Sequence, residues 1–128
     1  MGAPGVQTPY ERGMAQHLLE AGQQHPQARV LVLVGNLHAR RAEWTGSMGR
    51  PTWRPIAMHL PQDELLTFDL GYQDGEVFNC SESGCGPSRV ASNDSGLPRV
   101  ELSSSQPAYN GIWAVGPLSA SPPLGAHP

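Results

Sequence analysis

This chain of 128 residues contains no lysine; its eight cations are all arginine. Against eleven carboxylates they leave a net charge of −3 and a pI near 5.9. A nucleic-acid binder needs a basic face, and this balance argues against one. The one cationic cluster is Arg40-Arg41, with Arg50 and Arg54 nearby. No apolar run approaches the roughly 18 residues of a membrane span, and no secretory leader is visible at the start. Missing too are a glycine-rich phosphate loop, a G-x-S-x-G elbow, an H-E-x-x-H helix and an EF-hand loop. Those absences remove the usual nucleotide, serine-hydrolase, zinc-protease and calcium readings.

What is present is rich in breakers. Thirteen prolines and fifteen glycines sit beside a hydrophobic content of only 38 %, unevenly spread, which reads as an ordered centre with loose ends. The opening GAPGVQTP reads as a linker over residues 1–7, and GPLSASPPLGAHP as an extended or disordered tail over 116–128. Residues 8–115 read as one α/β domain.

The strongest local signal is Thr8-Pro9-Tyr10-Glu11, a capping box with proline in the first helical position. In that reading Thr8 and Glu11 satisfy each other's amides. Met14, Leu18 and Ala21 then mark an apolar stripe at helical spacing, and Gly22 and Pro26 stop the helix, predicted over 9–22.

Next comes Val30-Leu31-Val32-Leu33-Val34, a continuous apolar run typical of a strand buried on both faces. The run ends at Gly35-Asn36-Leu37-His38, followed by Arg40-Arg41. Open α/β sheets bind ligands where such strands end. The sequence therefore predicts one N-terminal helix packed on a mixed sheet with a buried central strand at about 29–34. An antiparallel β-rich C-terminal part follows. Ile56–Leu60, Leu65–Tyr72, Gly75–Cys80, Arg99–Leu102 and Tyr109–Val115 are the further strand candidates. Asp74-Gly75 is the expected hairpin turn, and 42–55 and 84–96 read as loops.

His38 is the leading chemical residue, as metal ligand, general base or hydrogen-bond donor; the plainer alternative is a histidine that braces its own loop. Asn36, Arg40 and Arg41 are candidate ligand-binding residues, the arginines as an anion clamp, with a solvated pair as the alternative. Arg12 sits beside the positive end of the helix dipole and calls for a compensating partner. Asp69 joins His38 if its face lines the site, and is otherwise solvent-facing. His59 reads as structural.

Cys80 and Cys85 lie in a short Ser/Gly loop and suit a disulfide; free thiols and a metal pair are the alternatives. A disulfide fits an oxidising compartment, which favours the periplasm or cell envelope over the cytoplasm.

Two segments, Tyr10-Glu11-Arg12-Gly13-Met14-Ala15 and Arg29–Val34 running into Gly35-Asn36-Leu37-His38-Ala39-Arg40, together form a recurring pattern. It resembles the superfamily of Tiki proteases, TraB/PrgY proteins, erythromycin-esterase-like enzymes and ChaN-type haem-uptake lipoproteins. Gly35 and His38 match its G-x-x-H, and Arg12 with Met14-Ala15 matches its helix. The resemblance spans about residues 9–70. It implies a pocket shared by His38 and Arg12, hydrolase or ligand-binding chemistry, and a divalent metal, held through His38, as the cofactor in some members. It also implies a missing N-terminal half carrying a second histidine motif, so 8–115 reads as the C-terminal half of a longer protein. The partners expected are a small molecule or metal, that N-terminal half, or a second copy in a homodimer. The alternative is a non-catalytic envelope or assembly module in which His38 is structural.

Overall fold

The structure, a computed structural model, describes residues 7–45, 52–103 and 107–124. Its elements are α1 (Gln7–Gln24), a short 3-10 helix (Ile56–His59), β1 (Phe68–Gly71), β2 (Gly75–Ser81), β3 (Gly84–Val90), β4 (Arg99–Leu102) and β5 (Gly111–Ala114). One three-stranded sheet has the order β1-β5-β4, and β2 and β3 form a two-stranded antiparallel sheet. Asn110 N donates to Thr67 O and Val115 N to Gly71 O, a rising register that makes β1 and β5 parallel. The mixed α/β class read from the sequence is present. Among the described residues no helix is long and apolar enough to cross a membrane.

Contacts cluster into two compact units, Met1–Asp69 with Leu102–Gly111, and Leu70–Glu101 with Ile112–Pro128. In the first, α1 packs against the 3-10 helix. The core face of α1 carries Glu11 and Ala15, both buried, with Leu18 and Gly22 half-buried at the following turns. That phase of four, three and four residues is one side of a helix. Pro55, Ile56, Ala57, Thr67 and Tyr109 complete this small core.

The helix begins at Gln7, so Thr8 lies inside it and the expected capping box is not formed. Both of its polar groups serve the segment 54–56 instead. Thr8 Oγ1 accepts from Arg54 N at 3.2 Å, and Glu11 Oε2 accepts from Ile56 N at 2.9 Å. Pro55 lies between them and has no N–H to satisfy. Two acceptors three residues apart on the helix thus meet the only two amides that segment offers.

The predicted central strand at 29–34 is not formed. Val30 is 51 %, Leu31 88 %, Val32 43 % and Leu33 95 % exposed. Among the described residues Val30–Val34 make no backbone hydrogen bond. A buried strand needs a neighbour on each side and cover on each face. None is supplied among the described residues, so the run lies open.

In the second unit the hairpin differs from its prediction. The turn at Asp74-Gly75 does not join paired strands; β2 pairs with β3 through Glu82-Ser83, and Gly84 adopts φ +118. That left-handed backbone suits glycine. The predicted 84–96 loop therefore contains β3. Cys80 and Cys85 face each other across the hairpin and form a disulfide. The tail contributes one parallel bridge, Leu118 to Gly75, with Glu76 N donating to Leu118 O at 3.2 Å. A Cβ at Gly75 would collide with the Leu118 backbone, so this close approach requires glycine. The Ile56–Leu60 strand candidate is instead the 3-10 helix, because Pro55 and Pro61 bound it and Met58 N bonds back to Pro55 O at 3.0 Å.

Candidate functional site

The site is assembled in the first unit around the turn that follows the apolar run. His38 N donates to Gly35 O at 3.0 Å, Ala39 N to Asn36 O at 3.2 Å and Arg40 N to Leu37 O at 3.4 Å. These successive three-residue turns wind the chain tightly through Gly35–Arg40. Two flanking segments hold the winding. Ala57 N donates to His38 O at 3.3 Å, Arg41 N to Ala108 O at 2.7 Å, and Tyr109 Oη to Asn36 O at 2.9 Å.

The winding directs the imidazole at α1. His38 Nδ1 lies 2.8 Å from Glu11 Oε1 and 2.9 Å from Oε2. The Glu11 side chain is 0 % exposed and that of His38 33 %. An ionised carboxylate only accepts, so Nδ1 carries the proton and Nε2 keeps its lone pair. Nε2 makes no hydrogen bond among the described residues. A buried carboxylate that fixes the tautomer and orientation of an imidazole is how proteins position a base or a metal ligand. The Trp53 ring lies 5.8 Å from the imidazole at 50°, limiting the ring's freedom.

Trp53 is tied to Trp44 by a pair of backbone bonds of 3.0 and 3.1 Å, and Trp44 in turn covers Arg40. The Arg40 guanidinium carbon lies 5.6 Å from the Trp44 ring and 6.0 Å from the Tyr109 ring, so the cation is held between two π-faces. Arg40 Nε and Asp69 Oδ1 are both buried without a hydrogen-bond partner among the described residues. Around Tyr109 their charges oppose each other. Burial raises the phenol's pKa, the Asp69 charge raises it further, and Arg40 lowers it. Asp69 therefore acts on Tyr109, and no hydrogen bond joins it to His38.

The remaining sequence candidates separate. Arg41 is engaged by Gln62, through Nε to Oε1 at 3.0 Å and Nη2 to the carbonyl at 3.3 Å. Asn36 is exposed and contributes its carbonyl to Tyr109. Arg12, one helix position beyond Glu11, is exposed and makes no hydrogen bond or ion pair among the described residues. No contact joins it to His38. His59 donates from Nε2 to Arg54 O at 3.3 Å, a structural bond as read.

Sequence reasoning missed Glu11, Trp44, Trp53 and Tyr109. For Glu11 a signal existed: it is in phase with Ala15, Leu18 and Gly22 on the core face, where a carboxylate must have a partner. For the aromatics there was none, since their meeting depends on long-range packing.

The donor set admits a metal only in part. His38 Nε2 is one ligand with a carboxylate behind it. Among the described residues, though, no group of three His, Cys, Asp or Glu side chains is placed to hold an ion. Comparison with protein-family models, curated proteins and solved structures finds no match to this chain.

Proposed function

We propose that this chain is a partial Tiki/ChaN-like domain carrying half of a ligand-binding, hydrolase-type site, with His38 as its base or ligand. The observation that supports this reading most is the buried Glu11 carboxylate held on His38 Nδ1 by two contacts. A histidine that merely braces a loop needs no such partner, because backbone bonds on either side already fix it. With Nδ1 occupied, Nε2 takes up a proton from a bound water or hydroxyl, and Glu11 stabilises the imidazolium that forms. Arg40, held between its two rings, supplies a positive charge in the same turn for an anionic ligand group. Arg12 serves the ligand from the helix in this reading, as the resemblance implies. A divalent metal would be held through His38 alone, so no chemical step is routed through one.

The experiment is a zinc titration of the intact chain beside His38→Ala and Arg41→Ala, read by calorimetry. Zinc binding that His38→Ala weakens and Arg41→Ala retains supports the half-site. Identical isotherms for all three chains would mean that His38 only braces its turn. The rival reading, a non-catalytic envelope or assembly module, is favoured by one observation of its own: the exposed apolar run Val30–Leu33.

A further inference from the structure

Four consecutive apolar residues, Val30–Leu33, stand exposed, and Val34 after them is half-buried. Leu31 and Leu33 are the most exposed of the run, at 88 % and 95 %. The backbone of Val30–Val34 makes no hydrogen bond among the described residues. Valine and leucine in alternation have strong strand character, and unpaired amides beside them are a template for another strand. We propose that this segment is an interface with a second copy of this chain, the two runs pairing antiparallel about a two-fold axis through Val32.

The sequence itself argues for that occupant. Val30-Leu31-Val32-Leu33-Val34 reads the same in both directions. In an antiparallel pair centred on Val32, Val30 faces Val34 of the second copy, Leu31 faces Leu33, and Val32 faces its own equivalent. One face of the ribbon is then all valine and the other all leucine, with equal volumes opposite each other. Self-complementarity of this kind is what an isologous two-fold interface requires. Directly opposed apolar pairs are also the units that stabilise a ribbon.

Charge selects the direction. A parallel, in-register pair would set Arg29 of one copy against Arg29 of the other, a destabilising juxtaposition. The antiparallel register puts Arg29 opposite Gly35, where no side chain competes for the space. The two guanidiniums then sit six residues apart, roughly 20 Å along the strand. That exceeds the Debye length of about 8 Å at physiological salt, so their repulsion is screened.

The inference is independent of the dyad, since neither Glu11 nor His38 takes part in the pairing. Its test uses the full chain with the Cys80–Cys85 disulfide intact. Sedimentation equilibrium should show a monomer–dimer equilibrium, and Leu31→Asp, which places a carboxylate against Leu33 twice per dimer, should weaken association tenfold or more. Because Leu31 is exposed, that variant should keep the parent circular dichroism. A second pair of variants reads the register. Val32→Cys should crosslink rapidly to a covalent dimer under mild oxidation, whereas Leu33→Cys, facing a leucine, should crosslink far more slowly. A chain that stays monomeric at every concentration would overturn the proposal. So would species larger than dimers, or equal crosslinking at positions 32 and 33.

Discussion

Replacing Glu11 separates the two consequences of its position. The carboxylate is 0 % exposed and accepts from His38 Nδ1 at 2.8 and 2.9 Å and from Ile56 N at 2.9 Å. Glu11→Ala leaves the Ile56 amide, in a residue only 5 % exposed, without that acceptor. An unsatisfied buried donor costs about 1–3 kcal/mol, and a hydrogen bond to a charged group adds about 1.5–3 kcal/mol. His38 is one-third exposed and can turn to water, which places the sum at about 3–4 kcal/mol. Total stabilities of domains are commonly about 5–15 kcal/mol, and the core here is small, so this loss is a large share. Glu11→Gln keeps the shape. Its amide oxygen still accepts from Ile56 N, while its NH2 donates to Nδ1 if the ring proton moves to Nε2. The expected cost is about 1–2 kcal/mol. Urea denaturation followed by tryptophan fluorescence reads both, since Trp53 lies against the His38 ring. Equal losses for Ala and Gln, or a loss below about 1 kcal/mol for Glu11→Ala, would refute the reasoning.

Three other outcomes follow from the same geometry. Arg40→Lys keeps the charge but loses the planar stack on Trp44 and Tyr109; it should lower stability by about 1–2 kcal/mol in the same urea assay. Tyr109 ionises at a higher pH in the folded chain than when unfolded. Its contribution is therefore complete below the ordinary phenol pKa of 10.0 and is lost as pH rises through the raised value. Stability should fall as pH rises from 10.0 through that raised value, and Tyr109→Phe should flatten the fall while costing about 1 kcal/mol for the Asn36 bond. The Cys80–Cys85 disulfide closes only a short loop, so its reduction should cost about 2 kcal/mol, measured as a shift in denaturation midpoint with and without reductant.

The local half of this structure was legible in the sequence. Gly22 and Pro26 place the end of α1 to within two residues, and β4 and β5 lie within the strand candidates Arg99–Leu102 and Tyr109–Val115. The Cys80–Cys85 bridge is the first of the alternatives that the spacing left open. Legibility ended where tertiary context decided. Thr8 and Glu11 fit a capping box by residue type, yet the amides of Arg54 and Ile56 compete for the same oxygens and win because they are flanked by an imino acid. Ile56–His59 has strand-like residues, but a proline on each side confines it to a single turn. The Val30–Val34 run has the composition of a central strand, and composition cannot provide the neighbours that a central strand needs. At the site, His38 was visible from its place after Gly35. Its carboxylate partner was assigned to the cap and so overlooked.

The account stands on Glu11 fixing the tautomer of His38, which long-range 15N–1H correlation of the histidine rings reads directly in the native chain. In the neutral ring it should show His38 protonated at Nδ1 with Nε2 bare, and Glu11→Gln should reverse the two. A native His38 that carries its proton on Nε2, or a spectrum that Glu11→Gln leaves unchanged, would contradict it.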